Sequence, residues 1–181
     1  MRVLGVDPGS GVTGWGVVDE HDRDLRYVAS GVVRVRGERA ERLAAIHEAL
    51  AEVCERLRSA VVVIEQTFVG DNIQTAFRLG EVRGAVMVAA ARAKIPVVEY
   101  SPAQIKVAVA GYGRAPKGQM QVMVGRLLKV DRELTTDEAD ALAAAICHLH
   151  RHRFAVRLGA SPRVPRSARP RGLGLGRPFT S

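Results

Sequence analysis

The sequence predicts an α/β fold built on a five-stranded mixed sheet flanked by helices. Three features carry this expectation. Extended segments rich in β-branched residues crowd the N-terminal 35 residues, a continuous apolar run follows at residues 60–64, and amphipathic helical stripes fill the intervals between and after them. A chain of 181 residues is long enough for one domain with its own core and too short for two of ordinary size. Its 47% apolar and 25% charged residues give the balance of a globular protein.

Val3 to Val6 form a short apolar strand that Asp7-Pro8-Gly9 breaks, and Trp15 to Val18 resume it after a turn rich in glycine, which predicts a hairpin. Leu25 to Val35 add a third extended segment, so three neighbouring antiparallel strands are expected. From Glu38 to Arg58, Leu43, Ile46, Leu50, Val53, Cys54 and Leu57 recur at spacings of three and four, the stripe of a helix that packs on a sheet. Ala60-Val61-Val62-Val63-Ile64 alternates with nothing polar, as expected of a central strand buried on both faces, and stops at Glu65. A second helix is expected over Gln74 to Lys94, a short strand at Val97-Val98, a short helix from Pro102 to Val109, and another from Lys117 to Leu128. Thr135 with Glu138 three residues on makes a capping box ahead of Leu142, Ile146 and Leu149, so a final helix starts there with Asp137 and Asp140 in its first turns. Three antiparallel strands followed by helix, strand, helix, strand and further helices is the element order of an RNase H-like mixed sheet.

The net charge of +8 is unevenly placed. Residues 151–181 hold eight arginines and no acid, which leaves 19 bases to balance all 19 acids in residues 1–150. A folded domain over residues 1–153 is thus expected to carry a disordered, basic Arg/Pro/Gly-rich tail over residues 154–181. A cationic tail on a neutral body suits a polyanion, nucleic acid before anionic membrane. The N-terminal apolar run is too short and too soon interrupted for a secretory signal, and no stretch approaches the roughly 20 residues that span a bilayer. Cys54 and Cys147 lie inside apolar helical patterns without metal-ligand spacing, which reads as two reduced core thiols of a cytoplasmic protein.

Taken singly, Asp7 is a turn residue, Glu65 a strand end, and Asp137 and Asp140 helix-dipole partners. Together they say more. If the strands ending at Asp7 and Glu65 are neighbours, both carboxylates emerge at one sheet edge, and Asp137 and Asp140, three apart on one helix face, can be brought there. Such a cluster repels itself unless a cation intervenes, and oxygen-only ligands favour Mg²⁺, with Mn²⁺ as substitute, over zinc. Two such ions about 4 Å apart would serve phosphodiester hydrolysis.

The stretches Gly5-Val6-Asp7-Pro8-Gly9, Ile64-Glu65-Gln66-Thr67-Phe68 and Asp137-Glu138-Ala139-Asp140-Ala141-Leu142-Ala143 resemble, in order, the three acidic motifs of the RuvC resolvases. The resemblance implies a homodimeric, Mg²⁺-dependent endonuclease that makes paired symmetric nicks in a Holliday junction, the four-way DNA of recombination and repair. The products would carry 5′-phosphate and 3′-hydroxyl ends, and the enzyme would work beside the RuvAB branch-migration complex. Asp7, Glu65, Asp137 and Asp140 match the family's metal ligands, Lys106 and Lys117 its catalytic basic positions, and Phe68 the aromatic that engages bases at the crossover. Residues 154–181 have no counterpart in the pattern. Read without the resemblance, Lys106 fits a solvated helix face and Phe68 a core plug, whereas Lys117, a cation at a helix start, suits a phosphate role better than a structural one. His148, His150 and His152 beside Cys147 have the composition of a zinc tract, but only His148 and His152 share a helix face. Gly9 to Gly14 lacks the Gly-Lys-Ser/Thr ending of a P-loop, and the chain is about half the length of an actin-like ATPase. The alternatives within reach are an RNase H-like nuclease of the YqgF group acting on RNA, and a DNA-binding protein that has lost catalysis.

Overall fold

A computed structural model describes residues 1–66 and 73–159. The strands β1 (Arg2–Asp7), β2 (Val12–His21) and β3 (Asp24–Arg34) form the expected antiparallel meander. β4 (Val61–Glu65) and β5 (Val97–Tyr100) extend the sheet in parallel from its other side, giving the order β3-β2-β1-β4-β5. The five-stranded mixed sheet is the one the sequence predicts.

Alternation along the central strands sorts the core into two layers. Leu4, Val6, Val62 and Ile64 point to one face, where α1 (Arg39–Leu57) and α2 (Ile73–Arg92) cover them with Ile46, Leu50, Val82 and Val86. Val3, Val61 and Val63 point to the other, against α5 (Thr136–Arg157), with α3 (Pro102–Ala110) and α4 (Lys117–Leu128) packed outside it. Burying both faces explains why β4 reads as an unbroken Val/Ile run. Cys54 and Cys147 are free thiols in opposite layers.

α5 lies unusually close to the sheet, and two glycines set the approach. A Cβ on Gly5 would stand 1.9 Å from the Ala141 carbonyl oxygen, and one on Gly14 would stand 2.1 Å from that of Asp137. No side chain fits either gap, so these positions seat the first turns of α5 directly on β1 and β2. The helix is continuously buried from Ala141 to Leu149.

One boundary differs from expectation. α5 runs to Arg157, four residues beyond the expected domain end at Arg153, because no proline or glycine interrupts the chain before Gly159. Arg153 is itself tied to the domain: its Nε donates to Glu20 Oε1 at 2.8 Å, and an Nη donates to the Arg23 carbonyl at 2.7 Å. The rest of the basic tail, residues 160–181, lies outside the described residues, as does Phe68.

Candidate active site

Parallel pairing of β1 with β4 aligns Val6 with Ile64, so Asp7 and Glu65 follow at the same end of adjacent strands. The neighbouring strand ends that the acid pattern requires are present. Asp7, Glu65 and Asp140 line one cleft of about 300 Å³ together with Lys106 from α3 and Lys117 from the start of α4. Pro8, Gln66, Leu79, Pro102, Ile105 and Met120 complete its wall. Asp137 is not on that wall, yet its charge reaches both Asp7 and Asp140.

The electrostatics are those of an unmatched acid cluster. Burial, then the Asp140 and Asp137 charges, push the Asp7 carboxyl up to about 6 against the pull of Lys117. Burial, with Asp7 and Asp140 beside it, lifts Glu65 to about 7. Asp140 is raised as well, mainly by burial, although Lys117 Nζ stands 3.7 Å from its Oδ2. Lys117 is 77% exposed, so water screens that pair and it cannot offset the repulsion. The same exposure leaves its ammonium free to meet an anion, and the N-terminus of α4 adds unpaired backbone N–H groups beside it.

Among the described residues, no three His, Cys, Asp or Glu side chains converge tightly enough to enclose an ion as they stand. The donor set still fits a hard divalent cation. Mg²⁺ is commonly held by one or two carboxylates and completes its shell with water and substrate phosphate oxygens, so a preformed cage is not required. Carboxylates that repel each other in a half-buried cleft are also the groups a cation relieves most. The candidate ligands are Asp7, Glu65 and Asp140, with Asp137 at the border.

Glu138, between the two helix acids, faces away from the cleft and is 5% exposed. Burial works to raise its carboxyl, but hydrogen bonds from Arg132, Thr135 and Ser30 overcome burial and hold it down at about 2. The sequence reveals its capping-box partner Thr135 and gives no sign of Arg132 or Ser30, which lie in a loop and a distant strand. Of the histidine tract, His148 Nδ1 pairs with the Tyr100 hydroxyl at 2.9 Å and His150 Nδ1 with the Ala108 carbonyl at 3.0 Å. These contacts tie α5 to β5 and α3.

Strand order and an acid-lined sheet edge define an RNase H-like protein. Within that class the chain belongs to the crossover junction endodeoxyribonuclease RuvC family, whose pattern matches residues 3–148. It is 49% identical over 156 residues to the crossover junction endodeoxyribonuclease RuvC of Halorhodospira halophila, covering 85% of this chain and 92% of that one. Identity to the same protein of Magnetococcus marinus is 44% over 156 residues, 85% and 87% of the two chains. Among solved structures, Thermus thermophilus RuvC in complex with Holliday junction substrate superposes with a TM-score of 0.81 at 35% identity, over 86% of this chain and 96% of that chain.

Proposed function

We propose that this protein resolves Holliday junctions: it binds four-way DNA as a homodimer and nicks two opposed strands symmetrically, leaving 5′-phosphate and 3′-hydroxyl ends. One observation carries the reading. In a chain of the RuvC family, Asp7 and Glu65 end adjacent parallel strands and share one cleft with Asp140, Lys106 and Lys117.

Two Mg²⁺ ions, with Mn²⁺ as substitute, would supply an activated water and charge relief for the leaving 3′-oxygen. Asp7, Glu65 and Asp140 would supply carboxylate oxygens to the ions from within the cleft, with Asp137 completing the set. Lys106 and Lys117 share the cleft with them and would bind the scissile phosphate; the exposed Lys117 ammonium gains more from the negative charge of the transition state than from its screened neighbour Asp140. Phe68, three residues after Glu65 in the sequence, is assigned to stacking on a base at the crossover. A dimer supplies one cleft per nick, and RuvAB is the expected partner on the same junction. The working compartment is the cytoplasm; among the described residues no helix is long and apolar enough to cross a membrane. Residues beyond Gly159 are assigned to non-specific phosphate contacts.

The test is to offer the purified protein a synthetic four-way junction, the matching linear duplex and an RNA–DNA hybrid, each with Mg²⁺. Paired nicks in the junction alone support the proposal. Cutting of the hybrid in preference to the junction would favour an RNA-directed nuclease, and no cutting of any substrate would favour a binding protein.

A further inference from the structure

We infer that Arg132 and Glu138 are positioning residues for the acid cluster: the ion pair between the half-exposed Arg132 and the buried Glu138 fixes the rotation of α5 and so aims Asp137 and Asp140. The inference rests on the metal-dependent nuclease reading and assigns the pair no contact with substrate or metal.

A capping box accounts for only half of what Glu138 does. Its Oε2 accepts from the Thr135 backbone N–H at 2.9 Å and from the Thr135 hydroxyl at 3.1 Å, which is what starts a helix. An ordinary capping glutamate leaves its other oxygen in water. Here Oε1 accepts from the Ser30 hydroxyl at 2.7 Å and from an Arg132 Nη at 2.5 Å, while the other Nη of Arg132 donates to Oε2 at 3.2 Å. Arg132 also donates to Ser30 Oγ at 2.8 Å, to the Tyr27 hydroxyl at 3.1 Å and to the Glu133 carbonyl at 3.1 Å. The guanidinium therefore locks the start of α5 to β3, from which Ser30 and Tyr27 come.

Helix geometry turns this lock into aim. Successive side chains rotate by about 100°, so Glu138 and Asp140 project to nearly opposite sides of α5. Pinning Glu138 to β3 leaves Asp140 the direction of the cleft. The contact on the sheet side is equally rigid, since Gly14 seats the Asp137 carbonyl without room for a Cβ. A few degrees of helix rotation would be amplified at the tips of both aspartates, and outer groups that orient metal ligands commonly govern affinity or activity 10- to 100-fold.

The full-length protein tests this with three variants: Arg132→Met, Arg132→Met with Glu138→Gln, and Ser30→Ala. Mn²⁺ affinity is read by paramagnetic resonance in the absence of DNA, thermal stability by melting, and junction cleavage by single-turnover rate across a Mg²⁺ series. Arg132→Met strands a buried carboxylate and lowers the melting temperature. The double variant removes that charge and recovers stability. If the pair positions the acids, Mn²⁺ affinity stays 10- to 100-fold below wild type in both, cleavage is partly rescued by raised Mg²⁺, and Ser30→Ala shows a smaller loss in the same direction. Metal affinity that tracks melting temperature and returns in the double variant, or never changes, overturns the positioning role. A wild-type protein that neither binds Mn²⁺ nor cuts the junction would instead overturn the nuclease reading, and the inference with it.

Discussion

The two sides of the first turns of α5 hold carboxylates in opposite conditions. On the β3 side Glu138 is buried deeply, yet Arg132, Thr135 and Ser30 supply a cation and donors for both of its oxygens. On the cleft side Asp7, Glu65 and Asp140 meet mainly each other and two lysines, Lys117 and Lys106, whose pull does not overcome burial and mutual repulsion. Burial is common to both sides, so it does not distinguish structure from function here. Matching does. The satisfied acid holds the fold, and the unsatisfied acids mark the place where something positively charged is missing from the protein's own inventory.

The contrast predicts substitutions of opposite sign. Arg132→Met should destabilise the fold by about 1–3 kcal/mol, since it leaves Glu138 buried and short of partners. Asp7→Asn should do the reverse in metal-free buffer. A carboxyl whose folded pKa is raised to about 6 contributes stability that is full below its unfolded value near 4 and is lost as pH rises through 6. Replacing it with a neutral isostere should therefore stabilise the protein by on the order of 1–2 kcal/mol at pH 8 and by little at pH 4. Glu65→Gln should behave alike, with its window displaced toward pH 7. Denaturation with EDTA at pH 4, 6 and 8 checks the sign. Loss of stability on removing Asp7 or Glu65 at pH 8 would mean that these acids are matched after all, and the comparison would break.

A smaller effect is expected from the basic extension. Five arginines lie beyond Gly159. Truncation there should weaken junction and duplex binding by similar factors and flatten the dependence of log affinity on log salt by up to about 0.9 for each phosphate no longer neutralised. Cleavage at saturating enzyme should persist, because the acids and both lysines precede the cut. Selective loss of junction preference would assign the extension to branch recognition instead.

Much of this architecture is legible in the sequence because it depends on local pattern. The Val61–Ile64 run announces a strand buried on both faces, and Thr135 with Glu138 announces the start of α5. Whether Asp7 and Glu65 meet is another matter. Their strands are separated by β2, β3 and α1, and only the parallel register of β1 with β4 brings the two ends together. In the sequence, only the motif resemblance points to that pairing. The partners of Glu138 are not legible at all, since Ser30 and Arg132 carry no periodic signal and their joint use depends on how closely α5 approaches the sheet. Gly5 and Gly14 do leave a trace, as glycines inside strand patterns, a usual sign of close backbone approach. The end of α5 is hidden because the arginines after residue 150 look like the onset of a tail, whereas Arg153 bonds Glu20 and the helix continues past it.

The unmatched acids are held to be a metal-dependent cutting centre whose carboxylates serve cleavage, whereas the cations around them hold the DNA. Asp7→Asn tests this division most directly, with junction binding measured in Ca²⁺ and nicking measured in Mg²⁺ on the same preparation. The account predicts a loss of nicking of about 10³-fold or more, because a ligand of the cation that stabilises the transition state is gone, with junction affinity changed by less than about threefold. Nicking retained at near wild-type rate, or reduced only in proportion to weakened binding, would contradict it.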